Sequence, residues 1–317
     1  MTRESGPDTP GSSAPEEPGV GQPRRGTVTR FFLLPLLVVA AAVGIFLVFN
    51  YLTFERRSPA DYLAEVRGGS ANRRWQAAFE LSRSIGRVPP GPERQALAAE
   101  TLRIFEGLSP KRREDVAIRR YLVLVLGKLQ EPEALSALLS AAKDPDPETR
   151  LYAIWSLGMI GDARAIDAVL ESSMAEDAGA RKMAAYVLGR LHDPRAVPRL
   201  RVLLEDPVAD VRWNAAIALA SLGDRSGVET LRSLLDRESL ARQATLTSDQ
   251  AEAAMVGATK GLALLRDRDS LALLERVSKS DPNLRVRASA REAIDAIRAA
   301  APTPAAVVER SERLLVV

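Results

Sequence analysis

The chain has 317 residues, and its 44 Lys and Arg side chains nearly balance its 41 Asp and Glu side chains, which leaves a formal net charge of +3. The charges are interleaved along the sequence, whereas a nucleic-acid-binding protein concentrates basic residues in a patch or stripe. The chain has no cysteine, so disulfides, thiol catalysis and thiolate metal sites are excluded.

Residues 1–29 are rich in Gly, Pro, Ser and Glu and show no apolar periodicity, which predicts a disordered tail. The 24 residues from Phe31 to Phe54 carry no charge. As a helix they would be about 36 Å long, enough to cross a bilayer. We therefore predict one transmembrane helix within residues 30–54. A cleaved signal peptide is the alternative, but the apolar core is too long and no cleavage motif follows it.

Arginines flank this segment in equal number: Arg24, Arg25 and Arg30 before it, and Arg56, Arg57 and Arg67 after it. The count alone gives almost no preference under the positive-inside rule. The short tail with arginines next to the span favours an N-terminus in the cytoplasm. Arginine also greatly outnumbers lysine, as in GC-rich bacterial genomes. We expect an anchor in a bacterial inner membrane, with the rest of the chain on the periplasmic side. Residues 55–69 are predicted to form a short juxtamembrane helix and a linker.

A repeated phrase occupies the region that follows, residues 70–300. Its clearest markers recur every 31 residues: the slot arginines Arg119, Arg150, Arg181 and Arg212, and the acids Glu131, Asp162, Asp193 and Asp224. Apolar or small residues lie 3, 4 and 7 positions after each arginine, the spacing of one helix face. A pair such as Gly161-Asp162 then ends the helix and caps the next one. Each unit is therefore a helix pair that must stack on its neighbours.

Two irregularities interrupt this interval. Arg74 and Arg119 are 45 residues apart, and we assign the excess of 14 to a loop at residues 87–91. Asp224 and Asp267 are 43 residues apart, and we assign the excess of 12 to an insertion at residues 237–249. The last unit is predicted to cap the array, and residues 301–317 to form a loosely held tail.

The phrase from Asp206 to Asp224 is similar to the HEAT repeat, in the short form also found in phycobilin lyases. This resemblance implies an all-α solenoid of about six or seven helix pairs over residues 70–300. It also implies a binding scaffold more often than an enzyme. The HEAT-like di-iron hydroxylases need several His-Glu pairs, and this chain has one histidine.

That histidine, His192, lies in a turn where the neighbouring repeats have Gly161 and Gly223, so we interpret it as a turn residue. One histidine cannot make an HExxH zinc site, and the glycines are spaced as helix stops rather than as a nucleotide-binding loop. The carboxylate pairs Glu205-Asp206 and Asp144/Asp146 stand in Asp-Pro contexts typical of helix caps. We predict no enzyme activity, no cofactor and no metal.

The recurring polar residues have a structural interpretation. A catalytic residue would occur once, whereas this set recurs in each central unit as a structural ladder would: Arg119, Arg150, Arg181, Arg212, Asp162, Asp193 and Asp224.

Aromatic residues mark the predicted partner surface. Seven of them lie 1, 2 or 5 positions after the slot arginine, away from the predicted core: Trp75, Phe79, Tyr121, Tyr152, Trp155, Tyr186 and Trp213. The HEAT resemblance implies that they line the concave side. Packing between units is the alternative for Phe79 and Tyr186, and the three tryptophans are expected to be partly exposed.

The predicted function is a non-catalytic, membrane-tethered scaffold that binds a protein partner. A bilin-lyase-like or other ligand-handling activity and a nucleic-acid-binding solenoid are the alternatives.

Overall fold

The computed structural model of the chain describes residues 34–53, 57–242 and 246–299. The predicted tails at residues 1–29 and 301–317 lie outside them. The described residues form sixteen α-helices: α1 (Leu34–Thr53), α2 (Pro59–Gly68), α3 (Ala71–Ser84), α4 (Pro92–Glu106), α5 (Arg113–Leu129), α6 (Leu135–Ala141), α7 (Pro147–Ile160), α8 (Ile166–Ser172), α9 (Ala178–Leu191), α10 (Val197–Leu203), α11 (Ala209–Ser221), α12 (Val228–Ser233), α13 (Arg237–Ala241), α14 (Ser248–Leu264), α15 (Leu271–Ser280) and α16 (Leu284–Ala299).

The chain divides into two compact units, residues 1–56 and 57–317. Helix α1 belongs to the first unit and covers the middle of the predicted membrane segment, residues 30–54, whose ends lie outside the described residues. Its large apolar side chains between residues 36 and 48 are exposed. In the part of the chain that the structure describes, no helix combines the length and the apolar character that a bilayer crossing requires.

The second unit is a stack of seven helix pairs, which agrees with the predicted all-α solenoid. The pairs are α2/α3, α4/α5, α6/α7, α8/α9, α10/α11, α12/α14 and α15/α16, and the short helix α13 lies between α12 and α14. The second helix of each pair packs against the second helix of the next, so α3, α5, α7, α9, α11, α14 and α16 form a continuous row.

The predicted core positions are buried. In α7, the residues 3, 4 and 7 positions after Arg150 are Ala153, Ile154 and Leu157, and each is at most 1% exposed. Helix α2 also contributes to the core through Leu63 and Val66, so the packed helices begin at Pro59 rather than near residue 70. Small side chains on this face, such as that of Ala153, let neighbouring helices approach closely.

The predicted helix ends are confirmed. Gly161 and Gly223 end their helices with φ angles of 74° and 75°, a left-handed conformation that glycine adopts without steric cost. His192 takes the same place with φ of 51°, which confirms its interpretation as a turn residue. The next residues, Asp162, Asp193 and Asp224, each accept the N–H of the residue two positions on.

Three other glycines have a role that differs from the prediction. Gly127, Gly158 and Gly189 lie within helices and are not helix stops. A Cβ atom on Gly127 would lie 2.4 Å from the Cβ of Ser156, and one on Gly189 would lie 2.8 Å from the Cβ of Ala218. Gly127 and Gly189 therefore mark places where the backbones of neighbouring second helices approach closely, whereas Gly158 packs against the Val187 side chain.

The first irregularity also differs from the prediction. Helix α4 has 15 residues, whereas the equivalent helices α6, α8 and α10 have seven each. Most of the 14 extra residues therefore lengthen a helix instead of a loop at residues 87–91. The second irregularity lies where it is predicted, and its described residues form α13 and the start of α14.

Two of the slot arginines, Arg119 and Arg181, join neighbouring helix pairs. The Nη1 group of Arg181 donates to the carbonyl oxygens of Ala175 and Glu176 at 3.0 and 2.6 Å, which satisfies main-chain acceptors before α9. Its Nε and Nη2 groups donate to both carboxylate oxygens of Asp206, at 2.7 and 3.0 Å. Arg119 donates through Nε and Nη2 to a single carboxylate oxygen of Asp144, at 3.1 and 2.7 Å. The hydrogen bonds from Arg181 hold the pKa of Asp206 below its usual value.

Candidate functional site: the aromatic stripe of the second helices

Seven aromatic side chains lie on five consecutive second helices, from α3 to α11. We call them the aromatic stripe: Trp75 and Phe79 on α3, Tyr121 on α5, Tyr152 and Trp155 on α7, Tyr186 on α9 and Trp213 on α11. Because these helices pack side by side in sequence order, the stripe crosses the stack. Trp75 is 37% exposed and Tyr186 is 44% exposed. These two side chains present the most aromatic surface to solvent.

One end of the stripe is partly packed between repeats. The rings of Phe79 and Tyr121 are 5.3 Å apart between centroids and meet edge to face at 67°, a favourable aromatic geometry. The guanidinium of Arg83 lies over the ring of Phe79, 5.6 Å from its centroid. For Phe79, the alternative of packing between units is therefore confirmed. Tyr186, by contrast, is exposed.

The expected exposure of Trp213 is wrong. Its side chain is 8% exposed and belongs to the core of the C-terminal repeats, together with Leu240 and Met255. The helix that follows the insertion, α14, packs against α11, and Leu246, Gln250 and Ala254 lie beside the indole. A cavity of about 230 Å³ remains beside the indole, lined also by Leu246 and Ala254. Trp213 is therefore a core residue whose edge faces a small apolar recess.

Paired charges border the stripe. Arg120 donates to both oxygens of Asp146 at 2.7 Å and also contacts Glu148 at 2.8 Å. Lys182 contacts Asp210 at 2.6 Å. The hydrogen bonds from Arg120 lower the pKa of Asp146 to about 2. The first pair lies beside Tyr152, and the second lines the recess beside Trp213.

Among the residues that the structure describes, no group of three His, Cys, Asp or Glu side chains is placed to hold a metal ion. His192 lies outside the stripe, and its Nδ1 contacts the carbonyl oxygen of Arg190 at 2.8 Å.

Three aspartates of the ladder were not recognised as such from the sequence. Asp144, Asp206 and Asp281 each accept hydrogen bonds from an arginine of the preceding repeat and from the N–H two positions later. All three are followed by proline and stand six residues before an arginine in the slot position. This recurring Asp-Pro dipeptide is the signal that could have identified them, although it was assigned only to capping.

The helix pairs stack at a 31-residue interval, and their turns and buried positions recur from pair to pair. This arrangement defines an α-solenoid repeat protein. The family model described as HEAT repeats matches residues 106–181 and 172–248. The chain is therefore a HEAT-repeat protein over this part of its length. No curated protein sequence matches it.

Three solved structures are similar to the chain, and the first of them supports this fold. A chain of the complex of CpcE and CpcF of phycocyanin lyase from Nostoc sp. PCC7120 is 18% identical, with a TM-score of 0.55, and the match covers 80% of this chain and 93% of that one. An Escherichia coli protein, YibA, is 14% identical with a TM-score of 0.48, covering 76% and 82% of the two chains. A designed armadillo repeat protein is 17% identical with a TM-score of 0.40, covering 76% of this chain and all of the other. At these identities the likeness concerns the fold.

Proposed function

We propose that the chain is a non-catalytic scaffold that binds a protein partner through the aromatic stripe and is tethered to a bacterial membrane by its N-terminal segment. The observation that carries the proposal is the pair of exposed rings, Trp75 and Tyr186, on a row of packed helices. Solvent-exposed Trp and Tyr side chains are typical of binding surfaces. A solenoid presents such residues on an extended, rigid surface.

A matched pair of substitutions tests the partner surface. Tyr186→Ala removes an exposed ring of the stripe and should weaken partner binding by about 2 kcal/mol or more, as at interface hot spots. Met174→Ala removes an exposed apolar side chain outside the stripe, 64% exposed, and should leave binding unchanged. A photo-crosslinking residue at position 186 in native membranes should capture the partner, and the same residue at position 174 should not. Equal capture at both positions would remove the stripe as the binding surface.

The proposed tether rests on residues 31–54, which contain no charged side chain. The exposed apolar side chains of α1 support it, because a helix with apolar residues on every side is stable when lipid or protein covers it. The arginines next to the segment favour an N-terminus in the cytoplasm and a periplasmic solenoid.

Reporter fusions test this topology. Alkaline phosphatase fused after Val317 should be active, because it folds in the periplasm, and a cytoplasmic fluorescent reporter at the same place should stay dark. The reverse pattern would place the solenoid in the cytoplasm. A fusion protein found in the soluble fraction would reject the tether itself.

A further inference from the structure

The Arg–Asp ladder lacks its acid where α7 meets α9, and also after Arg212, because the residue 25 positions later is Arg237. Arg119 and Arg181 each pair with an aspartate 25 residues later. The residue 25 positions after Arg150 is Ala175, whose methyl group offers no acceptor. This joint therefore has the arginine of the ladder but not its aspartate.

Arg150 is held in the same pose as its equivalents. Its Nη1 group donates to the carbonyl oxygens of Asp144 and Pro145 at 2.8 and 3.0 Å, six and five residues earlier. The Nη1 group of Arg181 binds the carbonyls at the same two offsets while its Nε and Nη2 groups bind Asp206. By this equivalence, the Nε and Nη2 edge of Arg150 is directed towards position 175.

A cavity of about 700 Å³ opens at this joint. The residues relevant here that line it are Lys143, Glu148, Arg150, Glu171, Ala175 and Asp177. Lys143 contacts Glu171 at 3.4 Å and Glu148 contacts Arg120 at 2.8 Å. The carboxylate of Asp177 accepts the N–H of Ala180 at 2.7 Å, and Glu176 also lines the cavity. The cavity and the guanidinium of Arg150 therefore lie together at the position where a neighbouring joint has the carboxylate of Asp206.

We propose that this joint binds a carboxylate supplied by a peptide ligand, in the place that Asp206 occupies at the next joint. The planar guanidinium of Arg150 would bind both carboxylate oxygens, the arrangement for which arginine is best suited. The backbone N–H of Asp177 is equivalent to that of Val208, which donates to Asp206 at 2.9 Å, and would supply a further hydrogen bond. Either the side chain of an acidic residue or a free C-terminus has this chemistry.

The site is separate from the aromatic stripe, because it lies at the turns before α7 and α9. Loss of binding at Arg150 and loss of binding at Tyr186 are therefore distinguishable results. An internal competitor is also available: Ala175→Asp places a carboxylate in the slot on the same chain, as at position 206.

The test uses the full-length chain with isotope-labelled arginine and follows the side-chain Nε–H signals by NMR. N-acetyl-aspartate amide represents an acidic side chain, and N-acetylglycine represents a free C-terminus. Titration to tens of millimolar, the range in which a single carboxylate binds, should shift the Arg150 signal in a saturable manner. The Arg181 signal should stay in place because Asp206 already occupies that joint. Saturation by one probe alone identifies the source of the carboxylate.

In Ala175→Asp, the Arg150 signal should already be shifted and should not respond to either probe. If that variant does not fold, Arg150→Gln replaces it, with the amide signal of Asp177 as the readout, and the saturable shift should be lost. The proposal is overturned if neither probe shifts Arg150, if sodium chloride at equal ionic strength gives the same shift, or if Ala175→Asp responds like the parent chain.

Discussion

The regular repeats between Arg119 and Asp224 and the repeats after the insertion achieve the same contact with different residues. In the regular repeats, Arg119 and Arg181 reach 25 residues forward, to Asp144 and Asp206. After the insertion, Arg237 at the start of α13 reaches 44 residues forward to Asp281, with both carboxylate oxygens bound at 2.8 and 2.9 Å. The acid keeps its place six residues before the next slot position, and the donor changes. The arginine–aspartate contact therefore keeps its place in the structure, although the number of residues between the two partners changes.

The largest expected difference between the two regions concerns these buried acids. Asp144→Ala should lower the free energy of unfolding by about 3–5 kcal/mol, because it leaves a buried guanidinium without its partner. Asp281→Ala should cost less, because the side chain of Arg237 is 26% exposed and can be hydrated, whereas that of Arg119 is 9% exposed. Urea unfolding of both variants measures the difference. An equal or larger loss for Asp281→Ala would contradict the comparison.

A smaller difference is expected at two glycines within helices. A Cβ atom on Gly127 would lie 2.7 Å from the Cα of Ser156, so the backbones would have to move apart. A Cβ atom on Gly257 would meet the Cδ1 end of the flexible Ile217 side chain at 2.6 Å. Gly127→Ala should therefore cost about 1–3 kcal/mol, as overpacking does. Gly257→Ala should be close to neutral, since alanine favours the helix.

Thermal unfolding of the two glycine variants tests this expectation. A stable Gly127→Ala protein would mean that the regular repeats can separate without loss, and that their close helix contacts contribute little.

The smallest effect is expected for the pH dependence of Asp146 in the regular region. Its pKa is about 2 in the folded chain because Arg120 donates hydrogen bonds to it, and about 4 in an unfolded chain. A lowered folded-state pKa stabilises the protein at pH values above the unfolded value, and this stability is lost as the pH falls from about 4 towards 2. In Asp146→Asn, the melting temperature should change less between these pH values than it does in the parent chain. An unchanged acid profile in the variant would show that other carboxylates account for it.

The sequence predicted features that depend on residues within one repeat. The core positions Ala153, Ile154 and Leu157 follow from helical periodicity, and the turn at Gly161-Asp162 follows from local cap chemistry. The ladder acids were missed because their partner lies in the preceding repeat, where no local pattern indicates it. Gly127 was misassigned because glycine serves both as a helix stop and as a point of helix contact.

The candidate surface was predictable only in part, for the same reason. The positions of Trp75 and Tyr186 relative to the slot arginine placed them away from the core, and both are exposed. The burial of Trp213 depends on how the insertion folds, and residues 237–249 carry no repeat pattern from which to predict it. Local periodicity thus predicts which face of a helix a side chain lies on. It does not predict whether another segment of the chain covers that face.

The contact between Arg237 and Asp281, which are 44 residues apart, also indicates how such a chain tolerates inserted residues. The entropy lost on closing a flexible loop rises with the logarithm of its length, so lengthening the closure from 25 to 44 residues adds roughly 0.5 kcal/mol. A doubly hydrogen-bonded guanidinium–carboxylate pair offsets a penalty of that size. Additional segments at this joint are therefore nearly neutral in free energy, provided that an arginine remains close enough to close the loop.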